Sequence, residues 1–181
     1  MLKRYVPEDE LHRGFRDLKL TPCPCCKRIG TLIHHGWLYG YDCADLAKKT
    51  IRARRVFCNN RKKHNNGCGQ TFTVWAADKL KHSGLDAHGL WAFLKDVLNL
   101  SNKAAALRKL NLAASSAYRL WKRFLDGQSR IRSLLIQICP PPDLPHESCP
   151  AAQTIAHLEA AFARENCPAV AFQERLQVSF T

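Results

Sequence analysis

Four cysteines in the first third of the chain have the residue type and spacing that a metal ion requires. Cys23 and Cys26 form a C-x2-C turn, and Cys58 and Cys68 lie beside strand-like runs further along. Two cysteine pairs that are distant in sequence, each next to a predicted strand, are what a tetrahedral structural zinc site needs. The spacing therefore predicts Zn as a cofactor, with Cys23, Cys26, Cys58 and Cys68 as its ligands.

The second pair leaves one alternative open. Nine residues separate Cys58 from Cys68, and His64 lies among them. Three cysteines and one histidine also form a standard structural zinc site, so His64 competes with Cys58 as a ligand. We favour Cys58 because it ends a predicted strand, and the Asn and Gly residues of the insert allow it to loop out. Cys25 is left out because one ion cannot easily take three thiolates from so tight a turn.

Cysteine number and apolar patterning bear on the compartment. The chain has 181 residues and nine cysteines. An odd number of cysteines without an export signal favours metal-bound thiolates over disulfides. The sequence has no run of about 18 apolar residues, so we expect no transmembrane helix and no membrane partner. These observations predict a cytoplasmic protein.

The whole chain has a formal net charge of +13, and its positive charge is concentrated in the first two-thirds. Residues 1–80 carry 16 Lys and Arg against 7 Asp and Glu, and residues 81–127 carry 8 against 3. Residues 128–181 carry 4 against 5. The first two regions therefore favour a polyanionic partner, and the last does not.

Strand-like patterns occupy the region around the cysteines. Residues 31–39 are rich in strand formers and predict a hairpin, and residues 71–75 predict the last strand. Residues 50–57 alternate apolar and basic side chains over most of their length. One face of that strand can then pack while the other displays Arg52 and Arg54.

Helical periodicity begins near residue 85. One apolar stripe indicates a helix over residues 90–98, and a second indicates a short helix over 103–110. Asn111 and Leu112 predict a turn, and Ser115 or Ser116 caps a third helix, which Gly127 ends. A short helix, a tight turn and a second helix are typical of a helix-turn-helix. A three-helix bundle with a solvated basic face gives the same pattern, and the basic region upstream is what favours nucleic acid.

The predicted fold class is α+β: a small β zinc ribbon followed by an α-helical helix-turn-helix bundle and a helical C-terminal tail. The predicted regions are an N-terminal arm or short helix (1–20), a zinc ribbon (21–80), a helix-turn-helix (81–127) and a helical tail (128–181). We expect the tail to pack on the bundle, or to form a homodimer or bind a protein partner.

The cysteine motifs resemble a known family. The runs Cys23–Cys26, Arg52–Phe57 and Cys68–Val74 are similar to the zinc-ribbon front end of bacterial insertion-sequence transposases. The helices that follow look like the helix-turn-helix of those proteins, with Leu110-Asn111-Leu112 where they often have Leu-Gly-Ile or Leu-Gly-Val. The resemblance covers about residues 20–126.

The resemblance implies DNA recognition rather than strand transfer. The spacing from Cys58 to Cys68 is longer than the family pattern, and the region after residue 127 reads as helical with only five carboxylates. A DDE nuclease domain would need a βαβ sheet that presents separated carboxylates to two metal ions. We therefore expect no nuclease domain.

The predicted function is double-stranded DNA binding without catalysis, as a transposon-associated accessory factor or a transcription regulator. A zinc ion with four thiolates has no open position for water, so no enzyme activity is expected. Phosphate contacts are assigned to Arg52, Arg54, Arg61, Lys62 and Lys63. Contacts near base edges are assigned to Ser116, Tyr118, Arg119, Lys122 and Arg123.

Three alternatives stay open. The first is an RNA-binding zinc-ribbon protein. The second is a metal-dependent nuclease that uses His34, His35 or His64 with an acidic neighbour such as Asp42 or Asp45. The third is a protein-protein adaptor whose positive charge is only solvating.

Overall fold

The architecture is α+β, with a four-stranded mixed sheet near the N-terminus and a helical region after it. The structure is a computed structural model that describes residues 2–15, 17–41, 47–61, 67–81, 83–99, 106, 109, 112–143 and 149–181. The strands are β1 (Tyr5–Val6), β2 (Leu32–Tyr41), β3 (Lys49–Cys58) and β4 (Thr71–Ala76). The helices are α1 (Glu8–Arg13), α2 (Ala87–Asn99), α3 (Ala114–Leu135), α4 (Pro150–Ala161) and α5 (Pro168–Leu176). The α+β class is confirmed.

The N-terminal residues belong to the sheet unit. The strand order is β1-β4-β3-β2, with β1 parallel to β4 and the other pairs antiparallel. Leu11 of α1 and Leu18 after it are 0% and 4% exposed and pack in the core of this unit. The alternative of a frayed arm over residues 1–20 is therefore wrong. The expected lead-in helix is confirmed over Glu8–Arg13, and β1 was not predicted because two residues are too few to show alternation.

β2 and β3 form one long hairpin with two β-bulges. We expected residues 31–39 to contain a hairpin, but Leu32–Tyr41 form a single strand that pairs with β3. The pairing register shifts twice, which leaves His35 and Arg52 as the extra residues of two bulges. Gly36 has a φ of 149°, which L side chains rarely adopt. Gly36 therefore lets the strand continue through a bulge.

α3 is a single helix of 22 residues. The expectation that Ser115 or Ser116 caps it is wrong, because its N-cap is Ala113 and makes no side-chain hydrogen bond. The expectation that Gly127 ends it is also wrong. A glycine inside a helix costs only about 1 kcal/mol relative to alanine. Phe124 and the buried Ile131 continue the same apolar stripe on either side of Gly127, and their burial outweighs that cost.

Most of the predicted helix over residues 103–110 lies outside the described residues. Ala106 and Lys109 are described, and both are helical. Ala106 is buried in the helical core, and Lys109 Nζ lies 2.9 Å from Asp96 Oδ2. The predicted turn at Asn111 also lies outside the described residues. The helix-turn-helix therefore stays a prediction.

The C-terminal helices complete the helical core, and residues of this region also form hydrogen bonds with the sheet unit. Side chains of α4 and α5 share one buried cluster with α2 and α3. Gln173 Nε2 donates to Ala77 O at 2.7 Å and to Lys79 O at 3.3 Å. Gln177 Oε1 accepts the backbone N–H of Tyr5 at 3.1 Å. The tail therefore packs on the bundle, as expected. No helix in the described ranges is both long and apolar enough to cross a membrane.

Candidate metal centre and basic surfaces

The four predicted cysteine ligands converge on one point. Cys23 Sγ lies 3.7 Å from Cys68 Sγ, and Cys26 Sγ lies 3.7 Å from Cys58 Sγ. All four sulfur atoms are within 4.8 Å of one another. Four thiolates at about 2.3 Å from a tetrahedral zinc ion are about 3.8 Å apart. The cluster could therefore hold a metal ion, and the prediction that these cysteines come together is confirmed.

A tight turn positions the first two thiols. The Cys23 N–H donates to Arg28 O at 2.9 Å, and the Lys27 N–H donates to Cys23 O at 2.9 Å. Lys27 has a φ of 61°, which is uncommon for a residue other than glycine. This left-handed residue closes the turn around the cluster. Cys25 is exposed and outside the cluster, as expected.

The residues on either side of the insert between Cys58 and Cys68 are hydrogen-bonded to each other. The Gly67 N–H donates to Asn59 O at 2.9 Å, and the Gly69 N–H donates to Cys58 O at 3.1 Å. A Cβ at Gly67 would lie 2.6 Å from Cys58 Sγ, so only glycine fits beside the cluster. This closure explains how so long a spacing remains compatible with the site. His64 lies outside the described residues, and its candidacy as a ligand stays open.

The environment of the thiols favours binding of a cation. Burial raises the pKa of the Cys23 thiol to about 12, whereas the backbone N–H of Arg28 lowers the pKa of Cys26 to about 7. The Cys68 N–H donates to Cys58 Sγ at 3.3 Å, an interaction that stabilises a thiolate. Cys23 and Cys58 are 0% exposed. Buried thiolates require a compensating positive charge, and a divalent metal ion would supply it.

The two adjacent histidines lie on opposite faces of the sheet. The His34 ring lies 5.8 Å from the Phe15 ring, and the His35 ring lies 5.3 Å from the Phe57 ring. Burial, aided by the charge of Arg54, lowers the pKa of His34. Among the described residues neither histidine belongs to a group that could hold a metal ion. The other residues of the nuclease alternative, His64, Asp42 and Asp45, lie outside the described residues.

The predicted exposure of Arg52 is wrong, and Arg54 is only partly exposed. Arg52 is 8% exposed, and its guanidinium donates to Tyr41 O at 3.1 Å and Leu80 O at 3.0 Å. The Arg54 guanidinium lies 4.4 Å from the centre of the Trp37 ring, and burial lowers its pKa. The bulge at Arg52 breaks the strict alternation on which the prediction depended. Both side chains bind other parts of the chain instead of facing solvent freely.

Of the other basic residues predicted to contact phosphates in this region, the structure describes only Arg61. Arg61 is exposed, and its guanidinium lies 5.8 Å from the centre of the Phe57 ring. Lys62 and Lys63 lie outside the described residues. Arg55 was not predicted, yet it is exposed. Its position two residues before Phe57 was the signal that could have placed both on one face.

The first half of α3 presents a polar and basic face. Tyr118 is 62% exposed, and Arg119, Lys122 and Arg123 are also exposed, whereas Ser116 is half-buried. Arg119 Nη2 donates to Ser116 Oγ at 3.3 Å. Lys122 Nζ donates to Asp126 Oδ2 at 2.9 Å, and this hydrogen bond raises the pKa of Lys122. Four of the five predicted residues therefore face outward.

Comparison with known proteins gives no relative. No family model matches the chain, and neither a curated protein nor a solved structure matches it. The likeness to insertion-sequence transposases therefore stays a prediction from the motifs.

Proposed function

We propose that this chain is a zinc-stabilised protein that binds double-stranded DNA through the first half of α3. It would serve as a transposon-associated accessory factor or a transcription regulator. The observation that carries the proposal is the exposed basic face of that helix. Ala117, Leu120 and Phe124 are buried and fix which side of the helix points outward. The exposed side chains are Tyr118, Arg119, Lys122 and Arg123.

The chemistry of this face suits duplex DNA. An α-helix fits the major groove, where an arginine can donate two hydrogen bonds to guanine and a hydroxyl can contact either base or phosphate. Within the described ranges, Arg119 bonds only inside its own helix, to Ser115 O at 3.2 Å and to Ser116 Oγ, and both contacts can be exchanged for DNA. Among the described residues, Arg123 makes no ion pair. The helix therefore carries donors that a nucleic acid can recruit at low cost.

The metal has a structural part in this proposal. A zinc ion with four thiolates is coordinatively filled, so it would hold the sheet together rather than activate water. Cys23, Cys26, Cys58 and Cys68 would bind it. β1 and the residues after β4 then connect this unit to the helical core through Gln177 and Gln173. The zinc unit would thus support the helix that contacts DNA.

The test is selection of bound sequences from random duplex DNA at two salt concentrations. The double variant Arg119→Gln/Arg123→Gln should lose about 1–3 kcal/mol on the selected sequence for each bidentate contact that it removes, roughly 5- to 150-fold per contact, with little loss on random duplex. The control Arg164→Gln/Arg175→Gln removes the same charge from two exposed arginines of the tail and should change neither. Equal losses on selected and random duplex would contradict the assignment.

Four further measurements separate the rest of the proposal from its alternatives. Neutralising Lys62 and Lys63 should weaken all sequences alike and lower the slope of log K against log salt by about 2. Preference for single-stranded RNA over duplex DNA in competition would favour the RNA-binding alternative. An adaptor would not bind duplex DNA at physiological salt, and a nuclease would nick plasmid in a metal-dependent way.

A further inference from the structure

The face of the sheet opposite α1 is exposed near the cysteine cluster. Strands β2, β3 and β4 pair Phe57 with Ile33 and Thr71, and Arg55 with Gly36 and Thr73. Residues paired directly across strands point to the same side. His35 and Arg61 join this side through their contacts with the Phe57 ring. We call this surface the open face; it consists of His35, Arg55, Phe57, Arg61, Thr71 and Thr73.

The open face has rings and planar cations arranged side by side. The His35 and Phe57 ring centres are 5.3 Å apart, with an interplanar angle of 35°. The Arg61 guanidinium lies 5.8 Å from the centre of the Phe57 ring. The bulge at His35 turns this side chain toward Phe57, whereas its neighbour His34 contacts Phe15 on the other side. Phe57 is half-buried, so its ring is held in place while part of it meets solvent.

Charge selects the class of partner. Residues 18–77 contain 11 Lys and Arg and only two acidic residues, Asp42 and Asp45, which follow β2. Strands β2, β3 and β4 contain no acidic residue. Arg55 and Arg61 are exposed, and neither forms an ion pair with another described residue. A surface of rings and arginines without carboxylates is complementary to a polyanion that carries flat apolar groups.

We propose that the open face binds single-stranded nucleic acid, with bases stacked on Phe57 and His35 and phosphates held by Arg55 and Arg61. Bases within a duplex are covered by their neighbours, whereas unpaired bases can stack on aromatic side chains. A ring lying in a sheet surface cannot enter a groove to reach a base edge. The open face therefore provides a second nucleic-acid surface, distinct from the duplex contacts proposed for α3 and independent of them.

The test compares two phenylalanines on opposite faces of the sheet. Phe72 of β4 pairs with Val56 and packs against the buried cluster beneath α1, so Phe72→Leu is a matched control for Phe57→Leu. The probes are fluorescein-labelled oligo(dT) and oligo(U) of about 15 nucleotides, close to the upper end of known single-strand site sizes. The two oligonucleotides distinguish DNA from RNA as the source of the strand. A duplex of the same length is the third probe.

Loss of one stacking ring should cost about 1–3 kcal/mol, which is roughly a 5- to 150-fold weaker Kd for the better of the two oligonucleotides. Phe57→Leu should show this loss and keep its duplex affinity within about twofold, while Phe72→Leu should bind oligonucleotides as the unchanged protein does. Equal affinities of the two variants for the oligonucleotides would overturn the proposal. So would the absence of single-strand binding by the unchanged protein.

Two variants that each remove one positive charge, Arg55→Gln and its control Lys49→Gln, keep the proposal testable if Phe57→Leu does not fold. Arg55→Gln should lower the slope of log K against log salt for the oligonucleotide by about 0.7. Lys49→Gln removes an exposed cation that contacts Tyr41 at the far end of the hairpin, and it should leave the slope unchanged. Crosslinks from a bromodeoxyuridine oligonucleotide should map to residues 55–61. Crosslinks confined to α3 would overturn the proposal, whereas loss of duplex binding alone would affect only the function proposed for α3.

Discussion

Substitution of two adjacent cysteines tests whether the sulfur cluster binds a metal ion. Cys26 Sγ lies 3.7 Å from Cys58 Sγ, whereas Cys25 is exposed and outside the cluster. Cys26→Ser should therefore remove a ligand, and Cys25→Ser should remove none. The two variants change the same atom type at neighbouring positions in one turn. Any difference in metal affinity between the two variants is therefore due to the loss of a cluster ligand, and not to the loss of a thiol in general.

The magnitude follows from the energy of a structural zinc site. Apparent binding free energies of such sites are about 10–16 kcal/mol at pH 7. Shared equally among four thiolates, each contributes about 2.5–4 kcal/mol, so Cys26→Ser should weaken the metal Kd roughly 10²- to 10³-fold. The whole binding energy is comparable with the stability of a typical domain, about 5–15 kcal/mol. Removal of the metal should therefore unfold the sheet unit.

The assay is cobalt titration followed by zinc competition. A tetrahedral site with four thiolates gives strong sulfur-to-cobalt charge-transfer bands and visible d–d bands. The unchanged protein and Cys25→Ser should give the same spectrum and bind one ion per chain. Cys26→Ser should give a weaker, altered spectrum and lose near-ultraviolet circular dichroism on chelation at lower chelator concentration. Indistinguishable metal affinities for Cys25→Ser and Cys26→Ser would refute the reasoning.

Three other predictions concern glycine and pH. Gly67→Ala should destabilise the metal-bound protein by about 1–3 kcal/mol, because its Cβ would lie 2.5 Å from Asn59 O and 2.6 Å from Cys58 Sγ. Chelator-induced zinc release measures this loss, and an unchanged release curve would contradict it. Gly127→Ala should instead stabilise α3 by about 0.5–1 kcal/mol, because alanine is favoured over glycine inside a helix and the nearest atom to the added Cβ is Ile131 Cδ1 at 4.0 Å. Urea unfolding that shows no gain in the free energy of unfolding would be evidence against this account of the helix. Metal affinity should rise with pH, since burial raises the pKa of Cys23 to about 12 and its thiol must lose a proton before it binds. Each proton released adds about tenfold in affinity per pH unit, and competition titrations at pH 6.5 and 7.5 with equal affinities would exclude this linkage.

The sequence was most informative where chemistry depends on residue type and spacing. Four thiols of one type beside predicted strands indicated a shared site, and the same four sulfur atoms meet in the structure. The α+β order and the helices near residues 90–98 and in the tail followed from periodicity, because burial of one face imposes it. These features depend on local pattern and on the preferences of one ligand class.

Features that depend on distant contacts could not be predicted. The exposure of Arg52 was wrong because a bulge and a carbonyl from Leu80 determine where its side chain lies. Gly127 resembled a helix stop, but burial of Phe124 and Ile131 outweighs a local preference of about 1 kcal/mol. β1 joins the sheet through pairing with β4 and through Gln177, which is more than 170 positions away in the chain. No window of the sequence contains that information.

The central claim is that one zinc ion, bound by Cys23, Cys26, Cys58 and Cys68, holds the sheet unit together. X-ray absorption at the zinc edge of the purified protein tests this claim most directly. We predict one zinc ion per chain with four sulfur neighbours at about 2.3 Å. A shell of three sulfur atoms and one nitrogen at about 2.0–2.1 Å would contradict the ligand set and favour His64. A protein that folds to the same thermal stability without any bound metal would contradict the claim as a whole.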